Sequence, residues 1–123
     1  MDVETIIKTI IEKAIEVKRT LGQGFLESVY QKALAYELTE AGLKCETEKL
    51  LNVYYKGHVM NYFRADLVVE EAVIVETKVV DEICRAHEIQ LVNYLTATGI
   101  DNGLIINFGT IPMGIKRKYR RGL

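Results

Sequence analysis

The chain has 123 residues, the size of one ordinary domain, and 49% of them are hydrophobic, which suffices for a packed core and excludes a disordered chain. Its 17 acidic and 16 basic side chains give a formal net charge of −1, so the overall charge does not indicate a nucleic-acid-binding protein. No linker or low-complexity stretch divides the sequence, which predicts a single domain over residues 1–123.

Helical spacing comes first along the chain. Apolar residues recur every three or four positions over residues 3–20, and this pattern predicts an amphipathic helix that ends near Gly22. A second helix is expected over residues 25–41, with Gly42 as its stop. The isoleucine-rich first helix offers a face through which two copies could pair, so a homodimer is one expectation.

The pattern then changes to the period of strands. Residues 43–48 and 50–55 are expected to be extended, and residues 59–69 and 72–80 are expected to form two longer strands. The pair Glu70-Glu71 is predicted to turn the chain between these last two strands. Successive strands joined by tight turns predict antiparallel hairpins.

The last third of the chain returns to helical spacing over residues 82–98. Residues 103–108 are wholly apolar, which is typical of a strand buried on both faces. Pro112 is expected to open a final helix or turn, followed by a tail that is either solvated or a local phosphate-contacting patch, and whose basic residues are Lys116, Arg117, Lys118, Arg120 and Arg121. The order of elements predicts a mixed sheet with helices on both faces.

The N-terminal segment and the cysteines indicate the compartment. Residues 1–18 are interrupted by Glu and Lys throughout, so they match neither a signal peptide nor a membrane span. Cys45 and Cys84 match no zinc-binding spacing, and a core of this size needs no disulfide. The sequence therefore predicts reduced thiols in a cytoplasmic protein that does not associate with membranes.

Charged residues inside the apolar strands indicate a site. Glu76 and Lys78 are two apart in the stretch AVIVETKVV, so they lie on one face of a strand. Asp66 interrupts the preceding apolar strand, and the turn at Glu70-Glu71 is expected to place it near Glu76. Neighbouring buried carboxylates repel unless a cation lies between them, and their oxygen atoms suit Mg²⁺ or Mn²⁺. A structural ion pair at a sheet edge is the competing interpretation.

Two further stretches add polar residues to this pattern. Glu27 is a lone acid in the apolar first half of the second helix, where it could simply stabilise the helix N-terminus. Gln90 and Tyr94 lie four residues apart and so share one face of the third predicted helix. Each feature is explained adequately by ordinary surface chemistry, but their joint occurrence with the strand carboxylates is not.

Taken together, these motifs resemble the GxxExxY protein family, a branch of the PD-(D/E)XK nuclease superfamily. Gly24, Glu27 and Tyr30 match the residues in the family's name. The similarity extends through VYYKG, YFRADLVVE, VIVETK, HEIQLVNYL and GLIINFG, and so covers nearly the whole chain from Leu21 onward. The resemblance implies an α/β fold with a restriction-endonuclease-like mixed β-sheet flanked by α-helices.

The resemblance also implies roles for individual residues. Glu27, Asp66 and Glu76 match metal ligands, and Lys78 completes the Glu-x-Lys motif, while Ala65 replaces a proline that is not a ligand. Gln90 matches a glutamine beside the site in many members. Supporting or substrate-binding positions would be Tyr94, His87, Arg64 and Tyr30.

The function implied is a Mg²⁺- or Mn²⁺-dependent nuclease that hydrolyses phosphodiester bonds of nucleic acid, DNA in the first instance. Its partner would be the nucleic acid. Two alternatives stay open, because one fold hosts several functions. The first is a binding module for nucleic acid or protein that cleaves nothing, and the second is a purely structural domain with a buried ion network.

Overall fold

A computed structural model describes residues 1–122 of the chain. Within these residues the chain forms three helices and five strands, in the order α1 (Val3–Leu21), α2 (Glu27–Glu40), β1 (Cys45–Tyr55), β2 (His58–Val69), β3 (Val73–Lys78), α3 (Arg85–Thr98), β4 (Asn102–Asn107) and β5 (Gly114–Tyr119). Residues 43–48 and 50–55 were predicted as separate extended segments, but residues 45–55 form one strand, β1, and residues 43 and 44 precede it. None of the helices within the described residues has the length and apolarity needed to span a bilayer.

The five strands form one sheet in the order β1-β2-β3-β4-β5. β1, β2 and β3 are antiparallel neighbours, as are β4 and β5, whereas β3 and β4 run parallel because α3 connects them across one face. The predicted turn at Glu70-Glu71 is confirmed, and both residues have positive φ angles of 53° and 54°. The mixed α/β sheet expected from the sequence is therefore confirmed.

The prediction of a final helix or turn is wrong in part, because residues after Pro112 form β5 instead of a helix. β4 is buried along its whole length, so the backbone groups of its outer edge need hydrogen-bond partners. β5 supplies them through pairs that run from Asn107↔Gly114 to Asn102↔Tyr119. The basic residues hid this strand, since they obscure the apolar alternation by which strands are recognised.

Two apolar clusters cover the two faces of the sheet. One lies between the sheet and the layer of α1 and α2, and it buries the isoleucines Ile6, Ile7 and Ile10 completely or nearly so. The other lies between the sheet and α3, whose Leu91 and Leu95 are buried. Most apolar residues of α1 are thus buried within a single copy of the chain. Pairing of two copies through that helix stays a prediction, and the burial of these residues does not favour it.

A change of face in β2 positions the candidate site. Phe63 and Ala65 pack on the α3 side, whereas Leu67 and Val69, which have the same parity, pack on the α1–α2 side. The switch falls at Asp66. Opposite it in β1, Glu48 has a φ of 51°, and the regular pairing skips both residues. A local irregularity of both strands therefore turns the hairpin over at this point, and it leaves the backbone groups there without their usual partners.

Candidate active site

The site lies where β2 and β3 part. The backbone pairs of the two strands end at Leu67↔Val75, so Asp66 and Glu76 lie opposite each other just beyond the last pair. Here side chains replace the missing backbone acceptors: the Asp66 N–H donates to Glu76 Oε2 at 2.8 Å, and the Thr77 N–H donates to Asp66 Oδ2 at 2.9 Å. The two carboxylates are held rigidly in the opening between the diverging strands.

Burial makes both carboxylates hard to ionise. Glu76 is 6% exposed, and burial, followed by the neighbouring charge of Asp66, raises its pKa to about 8. Burial also raises the pKa of Asp66, against the opposing effect of its hydrogen bonds with Thr77. Near neutral pH, therefore, the pair cannot carry two full negative charges unless a cation compensates them.

Lys78 and Glu27 complete the charged neighbourhood. Lys78 lies two residues after Glu76 on the same face of β3. Its ammonium group opposes the rise in the pKa values of Asp66, Glu76 and Glu27 but does not cancel it. Glu27 is the first residue of α2, and its pKa is raised by burial and next by the charge of Asp66. The structure thus brings all four residues of the predicted acid and lysine set within electrostatic reach of one another.

Carboxylate oxygens are suitable ligands for a divalent cation, but these side chains are not arranged as a complete set of ligands. Among residues 1–122, no three Asp, Glu, His or Cys side chains are disposed to hold a metal ion. Asp66 and Glu76, however, each have one oxygen fixed by a backbone N–H, and within the same residues no protein donor reaches the other oxygen. Two oriented oxygens are therefore available, one from Asp66 and one from Glu76.

Two functional-site residues were missed by the sequence reasoning. The buried Gln31, one turn after Glu27 on α2, donates from Nε2 to Glu48 Oε1 at 3.0 Å and to the Asp66 carbonyl at 3.4 Å. Glu48 in turn raises the pKa of Asp66 and Glu27. The only trace of Glu48 in the sequence was the interruption of the extended pattern between residues 48 and 50, and Gln31 gave none.

The predicted residues of α3 lie beside the acids. Tyr94 is partly buried and stacks on Phe63, with ring centroids 3.7 Å apart. Its pKa is raised by burial and then by the charges of Glu76 and Asp66. Gln90 is exposed, lies next to Tyr94 and acts on the pKa of Tyr94 in the opposite direction.

The remaining predicted residues have structural partners. His87 Nδ1 accepts from the Cys84 N–H at 3.1 Å and so caps α3. Arg64 Nε lies 3.7 Å from Glu48 Oε2. Tyr30 is fully buried against Phe108, with ring centroids 4.8 Å apart.

The hydroxyl of Tyr30 organises the loop that precedes the helix-borne acid. It donates to the Gly22 carbonyl at 2.5 Å and accepts from the Phe25 N–H at 3.3 Å. Tyr30 therefore fixes the approach to Glu27 from inside the fold and is in no position to touch a substrate.

A mixed sheet between helices, with buried acids and a lysine where two strands part, defines a restriction-endonuclease-like domain. The model of the PD-(D/E)XK nuclease superfamily matches residues 4–120. The chain belongs to that superfamily.

A solved structure supports the fold. The protein SSO0001, known from a crystal structure, is 19% identical to the chain and superposes with a TM-score of 0.57. The similar region covers 76% of this chain but 49% of that one, so the chain spans about half of the other protein's length. At this level of identity the likeness concerns the fold alone. No curated protein shows a significant match.

Proposed function

We propose that the chain is a divalent-metal-dependent nuclease of the GxxExxY branch, acting on phosphodiester bonds in DNA. The observation that carries the proposal is the buried pair Asp66 and Glu76, oriented by backbone N–H groups, with Lys78 on the same face as Glu76. A sequence that buries two carboxyls with raised pKa values accepts a loss of stability, and function is the ordinary reason for such a loss.

The residues divide the chemistry among themselves. Asp66 and Glu76 would hold Mg²⁺ or Mn²⁺ through the oxygens that the backbone leaves free, and Glu27 would add the third carboxylate. When bound, such an ion would lower the pKa of a water beside it and offset phosphate charge. Lys78 places a positive charge beside the same carboxylates, where it stabilises the additional negative charge of a phosphate under attack.

Side chains at the mouth of the site would act on the substrate. Gln90 is exposed beside Tyr94, so its amide can hydrogen-bond a phosphate or an attacking water. Arg64 is only loosely paired with Glu48, and its guanidinium can exchange that partner for a phosphate. His87 has one ring nitrogen engaged in capping α3, which leaves Nε2 for contact with the substrate.

The test is cleavage of supercoiled plasmid and of single-stranded DNA by purified protein with Mg²⁺, Mn²⁺ or EDTA. We expect nicking with either metal and none with EDTA. Lys78→Ala and Asp66→Asn should each lower the rate at least about 100-fold, because each removes a charge that acts in the transition state. Tyr36→Ala, at an exposed position on α2, is the matched control and should cut like wild type.

A non-catalytic binding module is the second candidate, and one observation favours it: within the described residues no three-ligand set is preformed. That candidate predicts that wild type cuts nothing with either metal, while wild type and Asp66→Asn fold and bind DNA equally. Calorimetry with Mn²⁺ separates both candidates from a purely structural domain. A domain that holds the metal would show a heat of binding, and Glu76→Gln would remove it. A purely structural domain would show no heat of binding.

A further inference from the structure

The outer half of the β1–β2 hairpin extends beyond the rest of the sheet. Within the described residues β3 pairs with Leu67–Val69 of β2 alone, and no third strand pairs with residues 49–65, here called the hairpin arm. One face of the arm packs on α3 through Leu51, Val53 and Phe63. No residue of the arm belongs to the apolar cluster under α1 and α2, so among residues 1–122 no helix covers the other face as α3 covers the first.

The uncovered face of the hairpin arm is aromatic. The pairs Leu50↔Arg64 and Asn52↔Tyr62 lie on it, opposite to the side that packs on α3. Asn52 donates from Nδ2 to the Tyr54 hydroxyl at 3.4 Å, which places Tyr54 on the same face. Tyr54 and Tyr62 are 58% and 62% exposed, so more than half of each residue's surface is open to solvent.

The charge of the hairpin arm differs from that of the whole chain. Residues 49–65 contain Lys49, Lys56 and Arg64 but no acidic residue, although acids outnumber bases in the protein. Lys49 is paired with Glu46 at the base of the arm, whereas Lys56 at its tip lies over the Tyr55 ring, 5.4 Å from the centroid. The tip is therefore positive and the base is balanced.

We propose that the uncovered face of the hairpin arm binds an unpaired nucleic-acid strand, whose bases stack on Tyr54 and Tyr62. This inference rests on the proposed function, and it specifies the substrate as single-stranded or locally unpaired. Lys56 would contact a phosphate at the tip. Arg64, two residues before Asp66, would lie where the strand passes from the arm to the candidate active site.

The chemistry of the face decides among possible occupants. A base offers its flat face to a tyrosine only when it is unstacked, so a duplex cannot use these rings in the same way. A second copy of the chain paired face to face would bring the same lysines and arginine together, and like charges oppose that contact. An unpaired strand satisfies both the rings and the positive tip.

Binding can be measured without cleavage by using Asp66→Asn protein in EDTA and a fluorescently labelled 20-nucleotide single strand. Since stacking on one aromatic side chain changes affinity roughly 5- to 100-fold, we expect Tyr62→Thr to weaken binding within that range and Tyr54→Thr with Tyr62→Thr to weaken it further. Threonine keeps the strand propensity while it removes the ring. Tyr62→Phe keeps the ring and should bind like the parent, as should Tyr36→Ala.

Several outcomes would overturn the inference. One is binding by the double threonine variant within about twofold of the parent. Another is equal affinity for the duplex of the same sequence, and a third is a change of solution mass without a change of affinity, which would make the face an interface between copies. Because the metal and Asp66 take no part in this assay, the binding result can be interpreted even if the protein fails to cleave DNA. If the protein cleaves DNA but binds the single strand equally well without the two tyrosine rings, only this inference is rejected.

Discussion

At the scale of single residues, Glu76 is an acid that the fold buries at a cost in stability. Its carboxyl is almost fully buried, accepts a hydrogen bond from the Asp66 backbone and has a pKa raised to about 8. The cause is burial first and the negative charge of Asp66 second. The same geometry that would suit a cation destabilises the fold without one.

The pKa of Glu76 predicts how stability depends on pH when EDTA removes metals. Between the unperturbed value of 4.5 and about 8, the folded state holds one proton more than the unfolded chain. The free energy of unfolding must therefore fall as the pH rises through this window. The destabilising effect of Glu76 is absent below pH 4.5 and complete above about pH 8. Glu76→Gln, which keeps an acceptor for the Asp66 N–H, should be more stable than wild type by at least about 1 kcal/mol at pH 8.5.

Urea unfolding of both proteins from pH 4 to pH 9 measures this difference. We expect the two curves of stability against pH to approach each other near pH 4 and to separate as the pH rises. Parallel curves would show that the pKa of Glu76 is the same in the folded and unfolded states, and the explanation by burial would then be wrong.

At the scale of elements, Asn107 holds the chain that leaves β3. Its side chain is buried at the end of β4, donates from Nδ2 to the Val80 carbonyl at 2.9 Å and accepts the Val80 and Gly109 N–H groups at 3.1 and 2.9 Å. Gly109 approaches so closely that a Cβ atom there would lie 2.6 Å from the Val80 carbonyl oxygen. One amide thus fixes the segment directly behind Lys78.

Asn107→Asp tests this role with almost no change of shape. The carboxylate keeps both accepted hydrogen bonds but loses the donor, and it places an unpaired charge against the Val80 carbonyl. We expect a loss of about 2–4 kcal/mol in the free energy of unfolding at pH 7, measured with urea. Asn61→Asp, at an exposed position, should change the free energy of unfolding by less than about 0.5 kcal/mol. Equal effects of the two substitutions would contradict the proposed role of the Asn107 side chain.

Elements whose periodicity is set by one buried face were predictable from the sequence. The helix expected over residues 3–20 and the turn at Glu70-Glu71 follow from local patterns, and the proximity of Asp66 to Glu76 follows from that turn. Strand β5 was not predictable, because its charged residues are neutralised by partners far away in the chain. The left-handed backbone of Glu48 and its contact with Gln31 depend on how α2 packs on the hairpin, which no local pattern records.

At the scale of the whole molecule, two groups of basic residues have different partners. In β5 and the residues after it, three bases have acidic partners: Arg117 forms two hydrogen bonds with Glu4, Lys118 pairs with Glu88, and Arg120 pairs with Asp101. The lysine at the tip of the hairpin arm has an aromatic ring beside it instead of an acid. Arg117 and Lys118 therefore tie β5 to α1 and α3, which leaves fewer of the C-terminal bases for contact with phosphate.

Salt dependence of binding to the single strand distinguishes the two groups of basic residues. Each phosphate contact contributes about 0.7 to the slope of log affinity against log salt concentration, so Lys56→Gln should reduce the slope by about that amount. Lys118→Gln should leave the slope unchanged and lower thermal stability instead, because it leaves Glu88 without its partner. Measurement of both variants between 50 and 300 mM salt, that is over roughly the range where such slopes are linear, checks the assignment; the reverse result would move the phosphate contacts to β5.

Within the described residues no third strand pairs with the hairpin arm, and this has a consequence for how such proteins diverge. Growth or shrinkage by two residues in each strand preserves which side chains rest on α3, whereas an odd number, or an insertion into one strand alone, turns the following side chains over. Paired insertions would alter how far the ribbon projects and leave Asp66 and Glu76 undisturbed. Length in this part of the fold can thus be retuned independently of the chemistry at its base.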